Sequence, residues 1–259
     1  MDLGIKDRHA IVCASSRGLG KACAAALARE GCHVVINGRD EGTLQEAADD
    51  IRRSGGGSVT PIAADINTPA GRARLLAACE APDILVNNNA GPPPGNFAAW
   101  GTDDWQSALD ANLLAPAFMI QAVLEGMKAR RFGRIVNITS AMVKSPRAAM
   151  GLSTAARSGL TALCKGLAND CAAFNVTINN LLPERFDTDR QKFMAGLMMR
   201  SQGLTLEEAR QAIANTINAR RFGQPEEFGD ACAFLCSAQA GYISGQNLQL
   251  DGGTYSGLI

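Results

Sequence analysis

The sequence has no excess of charge of either sign. Its 259 residues include 25 lysines and arginines and 25 aspartates and glutamates, so the formal net charge is zero. A chain without a global field has no electrostatic means to recruit nucleic acid or an anionic membrane surface. We therefore expect neither a nucleic-acid nor a membrane partner, and a small-molecule substrate fits this composition better.

Long apolar runs are also missing. No stretch approaches the ~18 uninterrupted apolar residues that a membrane span requires. The first residues, MDLGIKDRHAIVCASS, contain no basic segment followed by an apolar core, as a secretory leader would. These two absences predict a soluble, cytoplasmic protein.

Paired cysteine motifs are absent, although the chain has eight cysteines. None belongs to a CxxC pair, and Cys232 and Cys236, which stand four residues apart, have no further candidate ligands beside them. Most of the others lie in apolar helical or strand patterns. We expect reduced, buried thiols and no metal site.

Tyrosine and histidine are scarce. The only tyrosines are Tyr242 and Tyr255, so the middle of the chain offers no phenol for acid–base chemistry. The two histidines, His9 and His33, stand at the edges of predicted strands. Neither has an evident partner for a proton relay, and both are interpreted as structural.

What the sequence does contain is a regular alternation of strands and helices. Helical stretches separate seven apolar runs of strand length, namely HAIVCAS, HVVING, VTPIAADI, DILVNNN, GRIVNITS, VTINNLLP and NLQLDGG. Continuous apolar runs are typical of strands that are covered on both faces, as in a parallel sheet. The alternation predicts an α/β fold with a doubly wound parallel sheet.

One segment departs from this alternation. Residues 186–222 form a helical pattern without an accompanying strand, which predicts an inserted helical pair. The chain has no proline-rich or serine-rich linker and no internal repeat. We therefore predict a single domain over residues 1–259.

A glycine-containing turn follows the first strand. In CASSRGLGKACAAALA, Gly18 and Gly20 stand where a helix begins. Glycine lets the backbone approach a pyrophosphate there, and the helix N-terminus offers free N–H groups and a partial positive charge. The pattern favours a dinucleotide, although two glycines at such a junction also serve as a simple tight turn.

The end of the second strand bears on the choice of dinucleotide. Arg39 stands where an NAD-specific fold usually has an acidic residue for the ribose hydroxyls. Arg39 and Arg17 together would bind a 2′-phosphate through charge-assisted hydrogen bonds. The alternative is a pair of solvated surface arginines, and the agreement of two positions favours NADP(H).

These segments resemble the short-chain dehydrogenase/reductase family over the whole chain, and its ketoacyl-carrier-protein-reductase-like branch most of all. The family's TGxxxGxG motif is similar to CASSRGLG, residues 13–20, whose first two residues are changed. The resemblance implies a seven-stranded Rossmann sheet with a small helical substrate lid. It also implies cofactor contacts from Ser16, Arg17, Gly18, Leu19 and Gly20.

Four further stretches carry the resemblance. Asp65 in AADI is similar to the family's adenine-contacting aspartate, and Thr188 to its nicotinamide-carboxamide contact. The family's NNAG appears as NNNAG, either through an inserted asparagine or through replacements at Asn89 and Ala90, which implies cofactor contacts from Asn88 and Asn89. The segment from RRFGQPEE to LQLDGG resembles the family's closing helix and strand.

The catalytic residues of the family are only partly retained. Asn112 in DANLLAP resembles the structural and proton-relay asparagine, and Ser140 in RIVNITS the active-site serine. The family places tyrosine thirteen residues after that serine and lysine four residues later, where this chain has Ser153 and Arg157. Residues four apart share a helix face, so both side chains would point at one spot. The resemblance implies a catalytic site of Ser140, Ser153, Arg157 and Asn112.

The two replacements change the acid chemistry. In the family, tyrosine donates its phenolic proton as hydride arrives, and the nearby lysine lowers the phenol pKa from ~10. A serine hydroxyl is a far weaker acid. Arg157 keeps the positive charge and a possible contact to the nicotinamide ribose, but it does not release a proton at usable pH.

Other residues near the predicted nicotinamide site also depart from the family. Glu184 and Arg185 follow Pro183 where the family has Pro-Gly, and Lys144 stands four residues after Ser140. Each is a candidate substitute charge, with a solvent-facing loop residue as the alternative. The inserted segment contains an adaptable apolar set that suits an apolar substrate or an oligomer contact: Phe193, Met194, Leu197, Met198 and Met199.

Three functions fit these observations. The first is an NADP(H)-dependent oxidoreductase acting on a carbonyl or alcohol substrate through a site without tyrosine. The second is a non-redox enzyme, dehalogenase-like or lyase-like, although such relatives keep the tyrosine. The third is a catalytically weak or silent NADP(H)-binding protein. Arg17, Arg39 and Asp65 favour the first and third, because a scaffold without dinucleotide has no use for them.

The two arginines generate a test of cofactor choice. We expect NADPH to bind at least about tenfold more tightly than NADH, since charge-assisted contacts contribute roughly 1.5–3 kcal/mol each. Fluorescence titration of both cofactors measures this ratio. Equal dissociation constants, or a preference that survives Arg17→Ala combined with Arg39→Ala, would contradict the assignment.

A second prediction concerns assembly. The apolar faces of the helices at 103–130 and 153–174 exceed what one sheet face covers, and the family pairs these helices across a two-fold axis as a homodimer or homotetramer. Light scattering at micromolar concentration should therefore give a multiple of the chain mass. A monomer would show that these faces are covered in another way.

Overall fold

Within residues 1–258, which the computed structural model describes, seven strands form one parallel sheet. They are β1 (His9–Val12), β2 (His33–Gly38), β3 (Val59–Ala63), β4 (Ile84–Asn87), β5 (Gly133–Ile138), β6 (Val176–Pro183) and β7 (Asn247–Leu250). Their order is β3-β2-β1-β4-β5-β6-β7. The direction of winding therefore reverses between β1 and β4, and such a switch point opens a crevice at the carboxyl ends of the strands.

Helices cover both faces of this sheet. They are α1 (Gly18–Arg29), α2 (Glu41–Arg53), α3 (Pro69–Ala77), α4 (Thr102–Leu109), α5 (Ala115–Arg130), α6 (Gly151–Cys171), α7 (Asp189–Gln202), α8 (Leu206–Asn215) and α9 (Pro225–Cys236). Successive residues of the first strand segment pack into opposite cores: Ala10 and Val12 lie under α1, α2 and α9, whereas Ile11 and Cys13 lie under α5 and α6. This two-sided burial explains why the strands are apolar without alternation.

A π-helical turn, Asp110–Leu114, joins α4 to α5. Asn112 lies in this turn and is 2% exposed. A π-turn inside an α-helix redirects one side chain and often marks a functional site. The sequence pattern does not reveal the π-turn, because one extra residue in a single turn barely changes the periodicity of the apolar residues.

The helical stretch Thr102–Arg130 is long and apolar enough to cross a membrane by length and composition, with a mean hydropathy of 1.4. Its residues Met119, Ile120 and Val123 are buried in the core beside the sheet. Core helices of this kind satisfy the same criterion of length and composition.

The predicted helical pair is present, as α7 and α8 inside the 186–222 segment. The two helices share a small apolar cluster of their own, which contains Ala195, Ala209 and Ile213. α7 begins after Thr188, two residues from Phe186 at the end of the β6 connection. This connection places the start of α7 over the crevice.

All eight cysteines are free and buried, in agreement with the expectation from their apolar surroundings. Burial raises the pKa of the Cys13 thiol to about 12 and acts in the same direction on Cys164. These groups are therefore neutral core side chains.

Candidate active site

An open cavity of about 640 Å³ lies at the carboxyl ends of the central strands. Its lining includes Gly18 from the start of α1, Ser140 after β5, Ser153 on α6 and Thr188 before α7. The cavity thus brings together residues that are separated by up to 170 positions in the sequence.

The turn before α1 fits a dinucleotide phosphate. Gly18 has a φ of +54°, and a Cβ on Gly20 would lie 2.4 Å from the Ala14 carbonyl oxygen and 2.7 Å from Asn88 Nδ2. No side chain caps the helix, and no acidic residue occupies its first turn. The free N–H groups and the partial positive charge at this end therefore face the cavity.

One of the two changed residues in the glycine motif lies in an unusual backbone conformation. Ala14 has a φ of +43°, a region that L side chains adopt only at a cost of roughly 1–2 kcal/mol. The family resemblance assigns glycine to this position. The turn has therefore kept its shape although its sequence departs from the motif.

The two arginines predicted to recognise a 2′-phosphate come from neighbouring turns. A Cβ on Gly38, at the end of β2, would lie 3.1 Å from the Ser16 side chain, so the residues that follow Gly38 and Ser16 are neighbours. Arg17 donates from Nη2 to Thr43 Oγ1 at 3.0 Å. Arg39 is exposed and makes no side-chain hydrogen bond or ion pair within residues 1–258.

The predicted adenine-side residues form a separate network beside the cavity. Asp65 accepts a hydrogen bond from the Asn67 backbone N–H at 3.0 Å, and Asn67 Oδ1 accepts one from Asn89 Nδ2 at 2.8 Å. Asn88 Nδ2 donates to the Ala14 carbonyl at 2.9 Å. The two asparagine side chains therefore hold loops together, and both residues also line the cavity.

The most constrained side chain in the cavity is Arg157. Its Nη1 donates to the carbonyls of Ile138 at 2.6 Å and Thr139 at 2.9 Å, at the end of β5. Nε donates to Ser153 Oγ at 3.2 Å, and Nη2 donates to the Asn89 carbonyl at 3.3 Å. Four of the five guanidinium N–H groups are thus used inside the protein.

Arg157 is also a buried cation without a carboxylate. It is 8% exposed, and no carboxylate oxygen within residues 1–258 lies within 4.0 Å of it. Burial, with a smaller contribution from the charge of Arg190, lowers its pKa from 12.5 to about 10. It remains protonated at neutral pH and places a positive charge at the cavity floor.

The two serines have free hydroxyl protons. Ser153 is 5% exposed and accepts from Arg157, whereas Ser140 accepts from the Met142 backbone N–H at 3.2 Å. Each oxygen acts as an acceptor in these bonds, so each O–H remains available to donate into the cavity that both serines line.

Asn112 approaches the site from the π-turn. Its Nδ2 donates to the Ala108 carbonyl at 3.3 Å and to the Ala90 carbonyl at 3.4 Å. Its Oδ1 and that of Asn87 are buried acceptors without a hydrogen-bond partner in the described residues. Both side chains line a small cavity of about 10 Å³ that also touches Arg157.

Comparison with known proteins places this site in a family. Residues 13–255 match the family model described as enoyl-(acyl carrier protein) reductase. The chain is 31% identical over 252 residues to the NADPH-dependent reductase BacG of Bacillus subtilis, covering 95% of this chain and 97% of that protein. The chain belongs to the short-chain dehydrogenase/reductase family.

Further relatives agree with this assignment. This short-chain dehydrogenase/reductase is 30% identical to the 3-oxoacyl-[acyl-carrier-protein] reductase FabG of Vibrio cholerae, over 98% of the chain and 99% of that protein. Its structure matches L-sorbose reductase from Gluconobacter frateurii, complexed with NADPH and L-sorbose, with a TM-score of 0.93, 28% identity and full coverage of both chains.

These comparisons confirm the predicted family and the predicted seven-stranded Rossmann fold. The relatives are reductases, and several of them are named as NADPH-dependent or seen with NADPH. This confirms the predicted enzyme class, an oxidoreductase acting on carbonyl or alcohol groups, and the predicted cofactor NADP(H). The individual site residues, the domain bounds 1–259 and the compartment stay predictions.

The structure also sorts the candidate substitute charges of this short-chain dehydrogenase/reductase. Glu184 lines the cavity and pairs with Arg147 at 3.2 Å and with Arg185 at 3.7 Å. Arg185 has a φ of +61°, which is uncommon for a residue other than glycine. Lys144 is not among the residues that line the cavity, and its ammonium lies 5.4 Å from the centre of the Tyr255 ring.

The apolar set in the inserted segment is only partly directed at the cavity. Met194 lines it. Met198 and Met199 pack instead against the cluster between α7 and α8, and Phe193 is 46% exposed. Met198 and Met199 therefore face α8 rather than the cavity. The choice between a substrate surface and an oligomer contact stays a prediction.

Sequence reasoning missed Arg190 and Arg147, which both line the cavity. A signal for Arg190 was present. Arg190 stands in the first turn of α7, where a cation faces the positive end of the helix dipole, so its position calls for a reason other than helix stability.

The hydrogen bonds of Arg157 generate a stability prediction. In Arg157→Lys, three donors on one nitrogen cannot reach four separated acceptors, so the free energy of unfolding should fall by roughly 1–3 kcal/mol. Urea unfolding at one fixed protein concentration measures this change. Arg200→Lys is the matched control, since Arg200 is exposed and forms no side-chain hydrogen bond or ion pair among the described residues. Equal unfolding curves for the two variants would contradict the structural role of Arg157.

Proposed function

We propose that the protein is an NADP(H)-dependent reductase of a small carbonyl compound, in which two serine hydroxyls take the place of a phenol. The observation that carries this proposal is the hydrogen bond from Arg157 Nε to Ser153 Oγ at 3.2 Å. It fixes Ser153 as an acceptor toward the cation and leaves its proton for a substrate oxygen in the cavity.

The residues at the nucleotide end fit the cofactor. Gly18 and Gly20 allow the close backbone approach, Arg17 and Arg39 would hold the 2′-phosphate, Asp65 the adenine, and Thr188 the nicotinamide carboxamide. A Cβ on Gly18 would lie 3.7 Å from the Thr188 methyl group, so the start of α7 stands directly over the phosphate turn. When bound, NADP(H) supplies or accepts the hydride.

Ser140 and Ser153 would polarise the substrate carbonyl. Their free O–H groups converge on one cavity, and donors fixed in advance stabilise the negative charge that develops on oxygen during reduction. The bond from a guanidinium to Ser153 Oγ withdraws electron density and strengthens that hydroxyl as a donor. Neither serine is acidic enough to give up its proton as readily as a phenol.

Arg157 acts in this proposal as a positioning residue and as a source of positive potential. Its internal hydrogen bonds leave one N–H, so the predicted contact to the nicotinamide ribose is limited to a single donor. Its charge, held in a site with little exposure, favours an oxyanion above it.

Asn112 would supply the route for the final proton. The cavity of about 10 Å³ that it shares with Asn87 and Arg157 has room for about one water molecule, and the two orphan amide oxygens are its acceptors. A water held there would lie beside Arg157, which in turn donates to Ser153. This arrangement supports slow proton delivery to the reduced oxygen.

A catalytically silent NADP(H)-binding protein is the second candidate. It is favoured by the absence of a phenol from the cavity lining in the described residues: Tyr242 is fully exposed, and Tyr255 is not among the lining residues. The two functions share the cofactor site and differ in turnover.

The double variant Ser153→Tyr, Arg157→Lys separates the two functions. It restores a phenol and an ammonium on one helix face, and a positioned general acid typically contributes ~10²–10⁴ in rate. We expect slow or undetectable reduction of an activated ketone or diketone by the native protein, and a gain approaching that factor in the variant. NADPH oxidation at saturating cofactor is the measurement.

Two controls accompany this experiment. Circular dichroism and NADPH titration must show that the double variant folds and binds cofactor, because Arg157 also supports the fold. Ser153→Ala should remove whatever activity the native protein has. Two results would contradict the proposal. One is a native protein that reduces such ketones at ordinary family rates and loses no activity on Ser153→Ala. The other is a double variant that folds and binds NADPH but gains no activity.

A further inference from the structure

The cavity has a marked excess of positive charge, although the chain as a whole has none. Two carboxylates line it, Glu184 and Asp189. Five arginines line the same space: Arg17, Arg147, Arg157, Arg185 and Arg190. An excess of one sign in a cleft concentrates ligands of the opposite sign.

The carboxylates of the cavity are already engaged. Glu184 is shared by Arg147 at 3.2 Å and Arg185 at 3.7 Å. Asp189 lies 3.3 Å from the ammonium of Lys192, one turn along α7. Within residues 1–258, no carboxylate oxygen lies within 4.0 Å of the guanidinium of Arg157 or Arg190.

Arg190 is placed at a cost to the fold. It stands in the first turn of α7, where its charge opposes the helix dipole. One N–H of its guanidinium donates to the Pro92 carbonyl at 3.1 Å, and the group lies 5.9 Å from the centre of the Phe193 ring. Its remaining N–H groups have no partner among the described residues.

Arg190 and Arg157 also act on each other. The charge of Arg190 contributes to the low pKa of Arg157, and partial burial lowers the pKa of Arg190 itself. Two like charges on one cavity, one at the floor and one at the rim, are relieved by an anion that binds between them.

We propose that the substrate of the reaction carries a carboxylate, which Arg190 binds at the start of α7 above the positive charge of Arg157. This rests on the proposed reductase function and deepens it. The apolar body predicted for the substrate lies against the uncharged side of the cavity, which includes Leu19, Pro94, Met142, Met150 and Met194. The substrate class is thus a keto acid, or the corresponding hydroxy acid, with an apolar chain.

A phosphate of the cofactor is the other anion that this part of the cavity could meet. The N-terminus of α1 and Arg17 already face that group, since Thr188 stands over Gly18. Arg190 lies two residues further on and bonds to Pro92, in the loop that follows β4. We therefore assign Arg190 to the substrate, and the experiment distinguishes the two anions.

The test compares acids with their neutral methyl esters on NADP⁺-saturated protein by titration calorimetry. The pairs are benzoylformate and levulinate, each with its methyl ester, so that two spacings between ketone and carboxylate are sampled. We expect at least one acid to bind about tenfold more tightly than its ester. Arg190→Gln should remove that difference and leave ester binding and the NADPH dissociation constant unchanged. Arg200→Gln, an exposed change on the same helix, should alter nothing.

Three results would overturn the proposal. They are equal affinity of acid and ester in both pairs, no binding of either acid, and a loss of NADPH affinity in Arg190→Gln with the acid-to-ester ratio retained. The last result would assign Arg190 to the cofactor phosphate. Failure of the proposed reductase function appears separately, as a folded, NADPH-binding Ser153→Tyr, Arg157→Lys variant that gains no NADPH oxidation while the native protein still prefers the acid.

Discussion

The site depends on one buried guanidinium. Arg157 ties α6 to the end of β5 through the Ile138 and Thr139 carbonyls, and to the loop after β4 through Asn89. A strand that ends beneath a cavity leaves carbonyl groups without ladder partners, and a planar fork of donors satisfies several of them at once. The same cation orients Ser153. One side chain therefore both connects these elements and sets the hydrogen bonding of Ser153.

This arrangement shows what Arg157 contributes to the fold at the position where a lysine is predicted for the family. Lysine at this position would offer a compact charge. Arginine instead uses most of its N–H groups in hydrogen bonds within the protein, so fewer of them can contact a ligand. The charge remains, held without a carboxylate, and so does the phosphate turn, even with Ala14 in a conformation that favours glycine. In the proposed function, dinucleotide binding and stabilisation of an oxyanion are therefore separate from fast proton donation.

The positive character of the cavity follows from which of its charged side chains form ion pairs. Glu184 pairs with Arg147 and Asp189 with Lys192, whereas Arg157 at the floor and Arg190 at the rim have no carboxylate within 4.0 Å among the described residues. In a chain whose charges balance overall, such a local excess arises from the meeting of elements distant in sequence. α7 supplies Arg190, the loop after β5 supplies Arg147, and the sheet holds both around one volume.

The amino-acid sequence alone determined the strands, the doubly wound sheet and the helical pair, and it predicts that Ser153 and Arg157 stand where the family has tyrosine and lysine. These are local properties, set by apolar runs, helix periodicity and residue identity at a fixed spacing. The π-turn at Asn112, the internal hydrogen bonds of Arg157, the turning of Met198 and Met199 toward α8 and the pairing of Glu184 were decided only by tertiary structure. Each depends on which backbone carbonyls, carboxylates or helix faces meet after the chain has folded, and no periodicity along the sequence records those contacts.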